Sequence, residues 1–407
     1  MAGAALVEPE IQKKIQLSED FLRIRYGKEQ NGKLIKKADV YTQDEHRINF
    51  ADVDRDAVFI CSRLRSGGFE TYIVGGAVRD LMLGKKPKDF DIVTQATPTR
   101  IRKVFRNSRI IGRRFRLVHV YFGPKIFEVS TFRSLKDGHT SNTYGTIEED
   151  VLRRDFSLNA LFYDPEKQVV VDYVEGMKDI REKRIRPIIP PELIFKDDPV
   201  RMIRALKYAA ITGFAIPWLV KRRIKKESAL LASVSPSRLT EELFKIIHSP
   251  HAGAIVANLE AAGLYDYLQP GAASRMKDPA YRETYLRGFG ETPGEEKPGG
   301  ALAALIRPWL DAELSWDELQ KGGWEEYKTV FFSARHFVLP MNPPRTELDL
   351  AVRLIFAEHK IELKKARFFD REQERGKRTR TRAAAAENPQ EIPRRRRHRA
   401  RSPAGSP

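Results

Sequence analysis

Residues 71–80 read TYIVGGAVRD and residues 89–93 read DFDIV, and these two short stretches decide the fold that we predict for the first half of the chain. The apolar and β-branched run at 71–74 predicts a strand that leads directly into two glycines. Residues 78–83 predict a short helix, and residues 90–93 predict a second strand. A strand, a glycine turn and a helix in this order are typical of a backbone that approaches a bound phosphate.

Asp89 and Asp91 are the central candidates for catalysis. Residues two apart in a strand point to the same face, about 6–7 Å from each other, so both carboxylates would lie at one strand edge. Such an oxygen-rich site suits Mg²⁺. A solvated acidic pair and a plain turn at Gly75 and Gly76 are the alternatives for each feature alone, but their closeness in sequence favours a joint metal and phosphate site.

Glu128 lies in a predicted strand at 126–131, which follows the turn Gly123-Pro124. If this strand lies beside the one that carries Asp89 and Asp91, Glu128 completes a cluster of carboxylates that could hold two metal ions. An ordinary exposed strand glutamate is the alternative.

Residues 153–159 read RRDFSLN and concentrate two arginines, a carboxylate and an amide. Arginine matches the oxygens of a triphosphate, so Arg153 and Arg154 are candidates for binding it. Asp155 and Asn159 could hold ribose hydroxyls. Helix capping and salt bridges are the alternative roles.

Residues 197–201 read DDPVR and open a predicted helix. Asp198 and Arg201 lie one turn apart and could present an acceptor and a donor to a base edge, so that no nucleic-acid template would be needed. The alternative is that the acids only stabilise the helix dipole.

The chain divides by pattern into an α+β head at 51–175, preceded by an extension at 1–50. A helical neck with a nucleotide- and RNA-binding part is expected at 176–270, and a helical RNA-binding body at 271–370. The tail at 371–407 holds twelve Lys/Arg against four Glu and almost no large apolar residue, so we expect it to be disordered. Further predicted elements are helices at 54–65, 97 onward, 199–214, 238–247, 252–268 and on to about 369, a strand at 117–122, and polar segments at 134–146 and 288–300.

Composition restricts the function classes. The 407 residues carry a formal charge of +18, which predicts a polyanionic partner, nucleic acid before membrane; a basic tail on an unrelated protein is the alternative. Cys61 is the single cysteine, which excludes an intrachain disulfide and argues against a cysteine zinc site. No secretory signal and no run of 18 uncharged apolar residues occurs, so we expect a cytoplasmic protein without a transmembrane segment.

Together these motifs resemble the class II nucleotidyltransferases of the polymerase β superfamily, over roughly residues 54–268. The family includes bacterial poly(A) polymerases and tRNA CCA-adding enzymes. The resemblance implies a polymerase β-like head of mixed sheet and helices. It also implies roles for the motif residues: metal binding by Asp89, Asp91 and Glu128, triphosphate binding by Gly75, Gly76, Arg79 and Asp80, ribose recognition by Arg153, Arg154, Asp155 and Asn159 with Asp155 also a catalytic candidate, and base selection by Asp198 and Arg201.

Residues 110–120 (IIGRRFRLVHV), residues 146–150 (TIEED) and the Arg-rich tail are similar to the poly(A) polymerase branch of the family. This implies addition of AMP from ATP to RNA 3′ ends, with two Mg²⁺ ions, Mn²⁺ as a substitute, and RNA-decay proteins as candidate partners. Asp197 stands where the family usually has Glu, and Lys207-Tyr208 where Arg-Phe is common. A CCA-adding or A-adding tRNA enzyme and a non-catalytic RNA-binding protein are the alternatives.

Overall fold

The computed structural model describes residues 23–28, 34–112, 116–134, 144–291, 299–319, 323–361 and 363. The chain forms two compact units. The first unit runs to Gly294 and includes Val338–Asn342, whereas the second unit comprises Glu295–Phe337 and the chain from Pro343 onward.

The first unit is built on a nine-stranded mixed sheet. Its strands are β1 (Ile24–Lys28), β2 (Leu34–Tyr41), β3 (Thr71–Val74), β4 (Asp91–Thr94), β5 (Ser108–Ile111), β6 (Leu117–Phe122), β7 (Lys125–Thr131), β8 (Leu161–Asp164) and β9 (Val169–Asp172). Their order is β1-β2-β9-β8-β3-β4-β7-β6-β5. Of these strand pairs, β4 and β7 are parallel and the others are antiparallel.

Helices cover both faces of this sheet. The helices of the first part are α1 (Gln43–His46), α2 (Arg55–Ser66), α3 (Gly76–Met82), α4 (Pro98–Val104) and α5 (Ile147–Leu152). Strand β3 is buried along its whole length, since Ile73 packs with α2, α3 and α4 while Tyr72 and Val74 pack with α5. A strand with both faces covered has no polar side, which explains the continuous apolar run in its sequence. The predicted α+β class is confirmed.

The predicted extension at 1–50 is where the structure differs most from the sequence interpretation. Strands β1 and β2 lie within it, and β2 pairs with β9 through Val40 and Val171. The sheet therefore begins before residue 51. Lys36 and Lys37 are exposed in β2, and this polar surface hides the alternation expected of a strand. Strands β5, β8 and β9 were also not singled out.

The remainder of the first unit is helical, as predicted. Its helices are α6 (Gly176–Arg181), α7 (Pro191–Asp197), α8 (Val200–Thr212), α9 (Trp218–Glu227), α10 (Pro236–Ile247), α11 (Ala252–Ala261), α12 (Tyr265–Leu268), α13 (Pro270–Arg275) and α14 (Pro279–Glu291). The single helix predicted at 252–268 is two helices, because Gly263 adopts a φ of 70° that ends α11. The predicted boundary between neck and body at residue 270 falls inside this compact unit.

The second unit contains α15 (Gly300–Glu313), α16 (Trp316–Leu319), α17 (Trp324–Phe337) and α18 (Arg345–Glu358). Helices α15 and α18 pack against each other, and both contact α17. Across the described ranges, no helix is both long and apolar enough to cross a membrane. The predicted tail, most of the polar segment at 134–146 and most of that at 288–300 lie outside the described residues.

Asp179 on α6 fixes the turn that carries Asn159. Its side chain is fully buried, accepts a hydrogen bond from Ser157 Oγ at 2.6 Å, and forms ion pairs with Arg184 at 3.0 Å and Arg186 at 2.8 Å. Removing one partner of a buried ionic group leaves the other charges uncompensated.

We therefore expect Asp179→Ala to lower the free energy of unfolding by about 1.5–3 kcal/mol, because charge-assisted hydrogen bonds are lost while the two arginines remain partly solvated. Urea denaturation followed by circular dichroism measures this change. Asp52→Ala is the matched control, because Asp52 is exposed and its replacement should change stability by no more than about 0.5 kcal/mol. Equal stabilities of the two variants would contradict the role given to Asp179.

Candidate active site

The turn between β3 and α3 consists of two glycines, so its backbone is not covered by side chains of its own. Gly75 has a φ of 73°, which a residue with a side chain adopts with strain. A Cβ at Gly75 would also lie 3.4 Å from Asp91 Oδ2, and a Cβ at Gly76 would lie 3.4 Å from the Arg79 guanidinium. The glycine turn thus brings bare backbone next to the Asp91 carboxylate.

The parallel pairing of β4 with β7 places Asp91 and Glu128 at the same level of the sheet. Ile92 is paired with Val129, and Asp91 and Glu128 are the residues immediately before this pair in their two strands. The strand that carries Glu128 therefore lies beside the strand that carries Asp91, as the predicted cluster of carboxylates requires. Asp89 lies just before β4, and Glu128 is also 3.5 Å from His119 Nε2 on β6.

Asp91 has an unusual electrostatic environment. The Asp91 side chain reaches solvent, but surrounding protein partly desolvates it. This burial, and then the negative charges of Glu128 and Asp89, raise the pKa of the Asp91 carboxyl to about 6, whereas the positive charge of Arg154 opposes the increase. Carboxylates that repel one another are stabilised by a cation that binds them together. Mg²⁺ prefers hard oxygen ligands, and carboxylates supply them. Among the described residues, no three acidic, His or Cys side chains are already close enough together to bind a metal ion. The chemistry of the donors fits a divalent cation, and its binding would require the carboxylates to converge.

Arg79, Asn159 and Asp155 form a buried chain of hydrogen bonds. Arg79 Nη1 donates to Asn159 Oδ1 at 2.9 Å, and Asn159 Nδ2 donates to Asp155 Oδ1 at 3.2 Å. Arg79 also contacts Asp80 Oδ1 at 2.8 Å, and its guanidinium lies 5.2 Å from the centre of the Tyr208 ring. The structure therefore brings these predicted nucleotide-binding residues together, with Arg79 already engaged in holding α3 to the turn at Asn159.

Arg154 and Arg153 point into different surroundings. Arg154 forms an ion pair with Asp150 at 2.9 Å and its charge reaches Asp91. Arg153 Nη1 donates to the Ser134 carbonyl at 2.8 Å. Burial and the neighbouring Arg133 lower the pKa of the Arg153 guanidinium. Crowded cations of this kind would be relieved by an anionic ligand such as a triphosphate.

Asp198 and Arg201 lie close together but are engaged by protein groups. Arg201 is buried; its Nη2 donates to the Arg153 carbonyl at 2.8 Å, and its Nη1 lies 3.1 Å from Asp197. Asp198 Oδ2 accepts a hydrogen bond from Arg238 Nη2 at 2.6 Å and is 4.0 Å from Arg201 Nε. The two groups thus have the predicted spacing, held from both sides by Arg153 and Arg238.

Sequence reasoning missed Glu242 on α10, which fastens the site to the helices. Glu242 is buried, and it accepts hydrogen bonds from Arg204 at 2.8 Å and Lys207 at 3.1 Å. Burial alone would raise the pKa of Glu242, but Lys207, Arg204 and Lys245 outweigh burial and lower it to about 2. Arg204 Nη1 in turn lies 3.9 Å from Asp155. The sequence pattern could have indicated this buried role, because Glu242 lies on the apolar helix face formed by residues 239, 243 and 246.

Comparison with known families gives two matches. Residues 71–186 match the poly A polymerase head domain, and residues 213–276 match a domain described as "probable RNA and SrmB-binding site of polymerase A". The first match contains every predicted site residue except Asp198 and Arg201, which lie between the two matched segments.

Several curated proteins are similar to this chain. Poly(A) polymerase I of Escherichia coli O157:H7 is 44% identical over 226 residues, which is 52% of this chain and 49% of that protein. The CC-adding tRNA nucleotidyltransferase of Halalkalibacterium halodurans is 37% identical over 254 residues, which is 62% of this chain and 63% of that protein. The chain thus spans about half the length of the poly(A) polymerases that it matches.

A solved structure shows the same fold. The Bacillus stearothermophilus CCA-adding enzyme in complex with CTP superposes with a TM-score of 0.53 at 27% identity, over 75% of this chain and 82% of that one.

The raised pKa of Asp91 predicts that its ionised carboxylate destabilises the folded protein. A carboxyl with a higher pKa in the folded than in the unfolded state binds its proton more tightly when folded, so stability is lost as the pH rises from about 4 to about 6 and is nearly constant above that. With EDTA present at pH 7.5, Asp91→Asn should raise the free energy of unfolding by no more than about 1 kcal/mol, since solvent screens this exposed side chain. That corresponds to an increase in Tm of about 1–3 °C.

The gain should shrink as the pH falls from 7 to 4, because the wild-type carboxyl then becomes protonated as well. Differential scanning calorimetry over this range tests the prediction, with Asp266→Asn, an exposed acid on α12, as the control. A gain in Tm that does not change with pH would contradict it.

Proposed function

We propose that this chain, whose residues 71–186 and 213–276 match the poly A polymerase domains, acts as a nucleotidyltransferase of that family and adds AMP from ATP to RNA 3′ ends without a template. The observation that carries the proposal is the pair of Asp91 and Glu128 on adjacent parallel strands, next to the glycine turn. A family head domain that had lost catalysis would gain nothing from keeping these mutually repelling carboxylates beside a polyanionic substrate.

In the proposed reaction, the 3′ hydroxyl oxygen of RNA attacks the α-phosphorus of ATP in line with the leaving group. The new phosphodiester bond forms as the bond to the β-phosphate breaks, the hydroxyl proton is released to solvent, and pyrophosphate leaves. Asp89, Asp91 and Glu128 would hold two Mg²⁺ ions, or Mn²⁺, which supply activation of the hydroxyl and neutralisation of charge on the pyrophosphate.

The other residues of the site would position ATP. Bare backbone at Gly75 and Gly76 and the guanidinium groups of Arg153 and Arg154 would contact the triphosphate. Asp155 and Asn159 would hold the ribose, with Arg79 and Asp80 fixing their orientation. Asp198 and Arg201 would read the adenine edge, since their geometry is already fixed by Arg153 and Arg238.

AMP addition is favoured over the tRNA-repair activity by the degree of similarity. The chain is 44% identical to a poly(A) polymerase and 37% identical to a CC-adding enzyme over comparable lengths. The segment at 110–120 supports the same choice. The proposal includes action in the cytoplasm, with RNA-decay proteins as partners. The rivals remain a CCA-adding or A-adding enzyme and an RNA-binding protein without catalysis.

Two labelled RNAs separate these functions: an unstructured oligonucleotide, and a tRNA that lacks its 3′ end. Each is incubated with Mg²⁺ and one nucleoside triphosphate at a time. We expect long ladders on the oligonucleotide with ATP alone. One to three additions confined to the tRNA would establish the tRNA-repair activity instead. If no nucleoside triphosphate releases pyrophosphate in the presence of either RNA, the protein is an RNA-binding protein without catalysis.

The carboxylates are tested by Asp91→Ala in the same assay. Incorporation should fall by at least about 10³-fold while the circular dichroism spectrum is unchanged, because electrostatic stabilisation of the transition state is lost. Asp266→Ala is the control and should retain wild-type turnover. Wild-type turnover in Asp91→Ala would overturn the proposed metal site.

Residues 371–407 are expected to contribute backbone contacts to RNA through their twelve basic residues. Their deletion should weaken binding of an unstructured RNA and flatten the dependence of log Kd on log salt, because fewer counterions are released. Fluorescence anisotropy at several salt concentrations measures both quantities. An unchanged slope would show that the tail makes no contact with RNA.

A further inference from the structure

The second unit carries a groove that the proposed reaction does not use. The groove encloses about 290 Å³ along α17. Its wall consists of Trp324, Tyr327, Lys328, Phe331 and Phe332, with Arg335 and Arg345 on its rim. The α17 residues recur at intervals of three and four, so that they form one face of the helix.

The aromatic side chains of this groove differ in burial. Tyr327 and Phe331 are buried and form the floor, and the Tyr327 hydroxyl is hydrogen-bonded to Asp349. The Trp324 ring is stacked on the Tyr327 ring at a centroid distance of 5.1 Å. Phe332 is 59% exposed. The groove therefore offers a flat aromatic surface that is held in place by packing and is open to solvent on one side.

The cations on the rim are not required by the fold. Within the part of the chain that the structure describes, neither Arg335 nor Arg345 has an ion-pair partner. Lys328 is paired with Glu325 at 2.7 Å. Arg345 is the first residue of α18, where the helix dipole disfavours a positive charge. Two guanidinium groups without an ionic partner among the described residues lie beside the exposed Phe332 ring and the partly exposed Trp324 ring, and this combination suits an anionic ligand that carries flat rings.

We propose that this groove binds unpaired RNA, with a base stacked on Phe332 and Trp324 and the adjoining phosphates bound by Arg335 and Arg345. The inference rests on the proposed function and adds a second site for its RNA substrate. Aromatic side chains stack any base, so the site would tolerate all sequences. The volume lies near the lower limit of about 300 Å³ for small-ligand sites, which matches a single base and not a longer stacked segment.

An acidic protein segment with apolar side chains is the competing occupant. RNA is favoured because the chain as a whole carries a charge of +18 and because guanidinium groups match phosphate oxygens.

The test uses the full chain without ATP, so that it does not depend on catalysis. A fluorescent 12-nucleotide unstructured RNA is compared with an abasic oligonucleotide of the same length, which has the phosphates but no bases. Phe332→Ala should weaken RNA binding about 5- to 20-fold and leave binding of the abasic strand unchanged, since only stacking is lost. Arg335→Gln combined with Arg345→Gln should weaken binding of both strands and lower the log–log salt slope by about 1 to 1.5.

Leu350→Ala and Lys360→Gln are the controls, because both residues are exposed on the second unit and neither lines the groove. They should bind as the wild type does. Photo-crosslinking from 5-iodouridine in the same RNA should label the peptide that contains Trp324 and Phe332.

Wild-type binding by both groove variants, or absence of the crosslink, would overturn the proposal and leave the groove to a protein partner. Equal weakening of the abasic strand by Phe332→Ala would also overturn it, since that indicates damage to packing. Failure of the proposed function would look different: the wild-type protein would add no AMP to any RNA, whereas these binding measurements would be unaffected.

Discussion

The parallel pairing of β4 with β7 is the constraint on which the candidate site depends. It aligns Asp91 with Glu128, and the apolar residues that follow each acid, Ile92 and Val129, are fully buried. Packing of these side chains against the helices prevents the two strands from shifting to separate the charges. A one-residue change of register would move Ile92 and Val129 out of the core, so the hydrophobic effect enforces an arrangement that electrostatics alone would oppose. Burial first, and then this repulsion by Glu128, raise the pKa of Asp91.

A second set of interactions holds the sugar side of the site in one geometry. Asp155 lies between Asn159, which is bonded to Arg79, and Arg204, which is bonded to Glu242. The chain of contacts runs from α3 through the turn at Asn159 to α8 and α10 within the first unit. Because these groups are buried and hydrogen-bonded before any ligand arrives, little reorganisation is needed when a nucleotide binds. The geometry of the site is therefore a property of the buried network and not only of the residues that would touch the ligand.

The sequence predicted the elements that have a local signal. Strands β3, β4, β6 and β7 and the helices with clear starts and stops, such as α2 with Asp54 and Gly67, were found at nearly their observed positions. Strands β1 and β2 were missed because their sequences show no apolar alternation, and in β2 Lys36 and Lys37 are exposed side by side. Asp91 and Glu128 could be grouped only on the condition that their strands were neighbours, since strand order is set by tertiary packing. The contact between Arg204 and Glu242 was missed because the two residues are 38 positions apart along the chain. Only the position of Glu242 on an apolar helix face indicates that Glu242 is buried.

Like charges lie close together in three places, and each place indicates a ligand of the opposite sign. Carboxylates surround Asp91; burial first, and then a neighbouring guanidinium group, lowers the pKa of both Arg133 and Arg153; and among the described residues Arg335 and Arg345 have no ionic partner and lie beside the exposed Phe332 ring. Each arrangement costs folding free energy, and none is needed to complete a core. Binding of a cation at Asp91, of a triphosphate near Arg153 and of nucleic-acid phosphates at Arg335 and Arg345 would each relieve the repulsion and so favour the bound state. The distribution of unfavourable charge thus argues for function independently of any family resemblance.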